Sequence, residues 1–193
     1  MMFFAIGVMA ENLLKNGEFN TIRLGGELYA AAASGSVKLS NFAQVENGNR
    51  CLKLEIMELK TSEDGRKSLS SEVVFGKNGN TLGLAAEPDT VYDFSFDCQG
   101  DLQLSLWVSL DSKPIEKTYF SEKRIRPVPK VFKGSAGKWT TCQGEFKTAA
   151  DTKYIRLHLM LWGDSKQQSN FSLKPGDVVL IDNVKIIKRK ANK

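Results

Sequence analysis

Histidine and cysteine are scarce in this chain: among 193 residues there is one of the first and three of the second. A lone His158 excludes metal sites built on paired histidines, including H-E-x-x-H. Cys51, Cys98 and Cys142 have no C-x-x-C spacing, which excludes thiolate-zinc and thioredoxin-like motifs. There is no G-x-S-x-G elbow. The stretch 76–81, G-K-N-G-N-T, lacks the glycine spacing and the Lys-Ser/Thr of a phosphate cradle. No apolar run reaches the roughly 20 residues that a membrane-spanning helix needs. No helical stripe extends beyond two turns, and there is no internal repeat or low-complexity tract.

Charge is uneven. The net charge is +5, but Lys188, Arg189, Lys190 and Lys193 crowd the C-terminal tail. Segment 111–138 holds eight Lys/Arg against three Asp/Glu, which leaves the rest of the chain mildly acidic. Nucleic-acid binding wants basic side chains along one structured face. The strands show none, so no nucleic-acid partner is expected. The first ten residues, MMFFAIGVMA, resemble the back half of a secretory signal peptide and predict export to the periplasm, cell surface or medium.

What the chain does have is period-two alternation, the mark of half-buried strands. Residues 50–57, 91–98, 102–110, 154–162 and 178–187 each read as a strand. In 102–110, Leu102, Leu104, Leu106, Val108 and Leu110 oppose Gln103, Ser105, Trp107 and Ser109. In 154–162, Ile155, Leu157, Leu159 and Leu161 oppose Arg156, His158, Met160 and Trp162. Gly/Pro/Asn/Asp clusters at 76–80, 87–90 and 174–177 mark turns between strands. Segment 111–138, with three prolines, reads as one long irregular loop. The pattern predicts an all-β antiparallel sandwich at residues 11–187, with a basic tail at 188–193. Cys98 and Cys142 fall on core-facing positions, as a disulfide or as buried free thiols.

Two phrases bracket this domain: N-L-L-K-N-G-E-F at 12–19 and D-V-V-L-I-D-N-V at 177–184. They resemble the opening and closing strands of carbohydrate-binding modules of the cellulose- and xylan-binding type. A-E-P-D-T-V-Y-D-F-S-F (86–96) and Trp139 through Leu159 continue the likeness in order. The resemblance implies a jelly-roll, galactose-binding-domain-like fold, with Tyr92 and Trp139 in its core. It also implies a structural calcium held by the closing-strand Asp182 and the residue after Phe19. That residue is Asn20 rather than the family's Glu, which removes one negative charge from the donor set. Such modules bind a polysaccharide or glycan and usually accompany a glycoside hydrolase, here one on another chain.

Soluble proteins usually bury their aromatic planes, so an aromatic at an outward strand position is informative. Trp107 and Trp162 are two. With Gln103, Arg156 and His158 they predict one concave face suited to stacking sugar rings and bonding hydroxyls. Tyr119, in the basic loop, is a further candidate contact, and the loop's charge suggests an anionic glycan. Two other functions fit the same residues. One is a polysaccharide lyase, with Arg156 neutralising a uronate and His158 or Tyr119 taking the proton. The other is an adhesion or spacer domain without a sugar site.

Overall fold

The computed structural model describes residues 11–20, 31–43, 49–78, 81–100, 103–115, 123–127, 132–133, 136–167 and 172–190. The signal-like segment 1–10 and Tyr119 lie outside them. The strands, in chain order, begin with β1 (Ala31–Ser34), β2 (Val37–Ala43), β3 (Arg50–Ile56), β4 (Lys60–Thr61) and β5 (Lys67–Phe75). They continue with β6 (Lys77–Asn78), β7 (Thr81–Leu82), β8 (Leu84–Ala85), β9 (Val91–Gln99) and β10 (Gln103–Asp111). The last are β11 (Lys123–Ile125), β12 (Phe132–Lys133), β13 (Thr140–Lys147), β14 (Tyr154–Asp164) and β15 (Val178–Lys188). No helix occurs among the described residues, so none there can cross a membrane.

Two antiparallel sheets carry the fold. One runs β1-β5-β14-β10-β11, the other β13-β9-β15-β3-β2. The alternation sets the register. Leu104, Leu106, Val108 and Leu110 stand opposite Leu161, Leu159, Leu157 and Ile155. All eight are at most 4% exposed. Fully burying a side chain of this kind stabilises by about 1.5–3 kcal/mol, so the row holds β10 and β14 in one register. From the other sheet Leu52, Leu54, Ile56, Phe94, Phe96, Ile181 and Ile186 pack on it. The long strands read from the sequence match the observed ones to within two residues.

Segment 111–138 departs from its reading as a loop. Within it β11 pairs with Val108–Leu110 and β12 with Gln103–Leu104, both along the edge of β10 that β14 leaves open. Strands of two or three residues are too short to show an alternation. Trp139 is half-buried rather than in the core. Tyr92 is in the core, stacked on Phe146 at 5.6 Å. Cys51, Cys98 and Cys142 are buried free thiols, with the Sγ atoms of Cys98 and Cys142 3.9 Å apart.

The opening segment is clipped onto β15. Asn12 Nδ2 donates to the Val184 carbonyl, and its Oδ1 accepts from the Leu14 and Ile186 amides. The Val184 amide donates to the Gly17 carbonyl at 2.9 Å. A β-carbon on Gly17 would lie 1.9 Å from the Val184 carbonyl oxygen, so only glycine fits. Phe19 then turns, at φ 50°, into the core against Phe75 of the opposite sheet.

Gly17→Ala is expected to cost about 3 kcal/mol or more, because a backbone atom must move. Gly65→Ala, with nothing within 4 Å of the added carbon but φ at 76°, is expected to cost about 1 kcal/mol. Urea unfolding of the two variants checks the ranking; equal losses would mean that the clip yields without cost.

Candidate functional site

The outward residues of β10 and β14 do share one face. Trp107 stands opposite His158, Gln103 opposite Trp162, Ser105 opposite Met160 and Ser109 opposite Arg156. β5 adds Glu72 beside Met160 and Ser70 beside Trp162. One end of this face is open. Trp162, Met160, Ser105 and Trp107 are half-buried, and Ser70 is exposed. Trp107 and Trp162 lie four residues apart along the register, roughly 13 Å at the usual strand rise. Arg126 sets its guanidinium 5.9 Å from the centre of the Trp107 ring.

The other end is dry, which corrects two expectations. The alternation puts Arg156 and His158 at ligand-facing surface positions, yet both are 0% exposed. Arg156 donates from Nε and Nη2 to Asp111 Oδ2, at 3.2 and 2.9 Å. Asp111 is itself 1% exposed, so the two charges leave water together. His158 is bonded to Glu72 through Nδ1 and to Ser109 through Nε2. Arg124, on β11, reaches over β10 and β14 to Glu72 on β5 at 3.0 Å. Burial is the main cause that lowers the His158 pKa, against the pull of Glu72. Neutral His158 therefore donates Nδ1–H to Glu72 and accepts the Ser109 hydroxyl at Nε2. Burial alone would raise Glu72, but its bond to His158 and the Arg124 charge leave it lowered and ionised.

Ser109, His158 and Glu72 stand in the order of a serine–histidine–carboxylate relay. Ser109 is 0% exposed. β10 is paired on both edges there, with Arg124 and Arg156, which commits the surrounding amides to the sheet ladder. An acyl-transfer site needs an accessible nucleophile and amides aimed at an oxyanion. Neither condition holds, so the chain of bonds fixes the sheet instead. The lyase roles given to Arg156 and His158 fail for the same reason, since neither meets solvent.

At the opposite corner Asn20 is exposed and donates to Glu18. Asp182 is buried and accepts from Asn49 Nδ2 and the Asn183 amide. Burial, with the charges of Asp97 and Glu18, pushes the Asp182 carboxyl up to about 6, against the lowering bond from Asn183. Among the described residues no three His, Cys, Asp or Glu side chains converge as a metal site. A groove of about 390 Å³ crosses the outer face of β9, β13 and β15. Arg189, paired with both Asp93 and Glu145, occupies its wall. Its lining includes four charged side chains, Asp93, Glu145, Lys185 and Arg189, and no tryptophan, so the tryptophan face is the stronger candidate.

No protein-family profile matches this chain, and no curated protein is significantly similar to it. Solved structures share its fold. The CBM22-1 xylan-binding domain of Paenibacillus barcinonensis aligns over 95% of this chain and 97% of its own, with TM-score 0.58 and 15% identity. TmCBM61 in complex with β-1,4-galactotriose aligns over 93% and 100%, with TM-score 0.50 and 17% identity. The CBM22-1–GH10 modules of a Clostridium thermocellum endo-1,4-β-D-xylanase, complexed with xylohexaose, align over 85% of this chain and 27% of theirs. Their TM-score is 0.52 and their identity 15%. At such identities the likeness establishes the architecture, the β-sandwich of carbohydrate-binding modules.

Arg156→Met is expected to cost about 3–5 kcal/mol, because it strands Asp111 without its partner. Pairing it with Asp111→Leu should recover most of that loss. Chemical denaturation reads both; full stability in the single variant would show that Arg156 is not structural.

Proposed function

We propose that this chain is a non-catalytic carbohydrate-binding module that holds a polysaccharide or glycan on the outer face of β10 and β14. One observation carries the reading: Trp107 and Trp162 lie on one face of adjacent strands, half-exposed, with small or flexible side chains between them. Indole planes supply apolar area at little entropic cost, and pyranose rings present apolar C–H faces to match. Their separation suits a chain of several sugars better than a single ring. Gln103, whose backbone pairs with Trp162, is the residue we propose for bonding hydroxyls. Arg156 and His158 lie buried at the dry end of the same face, where they brace the sheet and do not contact the ligand. The solved structures that share the fold include a xylan-binding domain and a galactotriose complex, which agrees with this reading. The signal-like first residues support export, and a glycoside hydrolase is the partner we propose.

Affinity electrophoresis against soluble xylan, galactan, cellulose derivatives and uronate polymers tests the function. Trp107→Ala and Trp162→Ala should each weaken retention by about tenfold, or 1.4 kcal/mol, with little change in Tm. Retention unaffected by both substitutions, or absent in the wild type, would favour a structural domain without a sugar site.

Calcium at Asn20 and Asp182 is a separate part of the proposal. Its support is the unfavourable charge that Asp97 and Glu18 place beside Asp182. A carboxyl whose folded pKa is raised is least stabilising when ionised. As pH rises from about 4 to about 6, the Asp182 contribution falls by about 2 kcal/mol. Asp182→Asn should therefore gain stability relative to the wild type at pH 7.5 but not at pH 4. Millimolar calcium should raise the wild-type Tm and leave Asp182→Asn unmoved. An identical Tm in calcium and in chelator removes the metal.

A further inference from the structure

The open end of the tryptophan face is bordered by cations of one short strand. Residues 123–126 read Lys-Arg-Ile-Arg. The register of β11 on β10 puts Arg124 opposite Ser109, on the same outer face as Trp107. Arg126 follows two residues on, at the level of Trp107, and its guanidinium lies over that ring. The two arginines are differently engaged. Arg124 is ion-paired with Glu72, which is itself buried under it. Arg126 is exposed, and the contact that positions it is the indole ring itself.

That contact decides which ligand the face prefers. A sugar ring stacking on Trp107 competes with the Arg126 guanidinium for the same indole. An exposed cation–π contact is worth about 0.5–1 kcal/mol. A neutral sugar displaces the guanidinium and gives it only hydroxyls in return. A sugar with a ring carboxylate displaces it and pairs with it through two parallel N–H···O bonds, which are stronger than the contact given up. The nearby acids do not oppose this. Glu72 is paired with Arg124, Asp111 with Arg156, and the intervening His158 is neutral.

Resting on the carbohydrate-binding reading, we infer that this face selects an acidic glycan, with Arg126 pairing a uronate carboxylate whose ring stacks on Trp107. Arg126 is a gate as well as a contact: it covers the indole until an anion draws it away. The position is outside the core, so substitution there leaves the sandwich intact.

Isothermal titration of the full chain with polygalacturonate, a sulfated galactan and a neutral galactan, at low and high salt, tests the inference. The wild type should bind polygalacturonate roughly tenfold tighter than the neutral polymer at low salt, a margin of about 1.4 kcal/mol. High salt should shrink the margin, because the pair is solvent-exposed. Arg126→Gln should lose the preference, keep the wild-type Tm, and bind the neutral galactan as well as or better than the wild type, since the indole is uncovered. Equal or tighter binding of the neutral polymer by the wild type overturns the inference and leaves the glycan-binding reading standing. So does a preference for the sulfated polymer over the uronate. A preference that survives Arg126→Gln places the selectivity elsewhere and overturns it too. Binding of none of the three overturns the inference, and absence of retention on xylan and cellulose derivatives as well overturns the reading beneath it.

Discussion

The fold depends on one close approach, the backbone of Gly17 against the carbonyl of Val184. Around it the two ends of the domain exchange bonds. Asn12 bonds β15 through both its amide nitrogen and its amide oxygen, and the Val184 amide returns a bond to Gly17. The approach falls where the register of β15 against β9 shifts between Asp182 and Lys185, next to Asn183 at φ 51°. A bulge leaves backbone groups without a ladder partner, and the opening segment supplies one for Val184. The clip closes a loop of about 170 residues, but loop entropy grows only with the logarithm of length, so a few well-placed bonds suffice. It also aims Phe19 across the core at Phe75. One contact thus ties chain ends, bulge and both sheets together.

From Phe75 the constraint passes into the sheet that carries the candidate site. β5 and β10 flank β14, and at one end both faces of β14 are dry. The inner face is aliphatic. The outer face is a layer of paired polar groups: Arg156 with Asp111, and Ser109, His158, Glu72 and Arg124 in a chain. Replacing such groups with apolar ones is often neutral for stability, whereas removing one partner is costly. Each polar residue here fixes the position of the next across four strands, so the layer sets the geometry of that end. The wet end, around Trp162 and Ser70, inherits that rigidity without its burial.

Most of this architecture was legible in the sequence, because alternation reports strand, face and register at once. It named the eight aliphatic positions that zip β10 to β14, and it put Trp107 and Trp162 on a common face. It failed where alternation means something other than solvent. Arg156 and His158 occupy outward positions, which usually face water, and nothing within 154–162 says that the outer face is covered. Their partners lie 45 and 86 residues away in Asp111 and Glu72. Asp111 ends an apolar strand and reads as the first residue of a loop. Glu72 sits in S-L-S-S-E-V-V-F, where five consecutive buried residues, 71–75, blur the period of two. Strand β11, and with it the crossing of Arg124 and the stacking of Arg126, is too short to leave a periodic trace. The resemblance of the end phrases told of architecture; only the folded register told which polar residues touch.

The same register explains why a relay-like row of serine, histidine and glutamate fixes the sheet and is not set up to react. Catalysis needs unsatisfied donors aimed at a developing charge and a nucleophile that substrate can reach. A strand paired on both edges has already spent its amides, and β10 at Ser109 is such a strand. What a doubly paired strand offers instead is a surface that does not move. Stacking gains little energy per ring, so a platform that must order itself on binding loses much of that gain to entropy. Here the ordering is done beforehand, by the buried ion pairs at the dry end and by the doubly paired strand that carries Trp107.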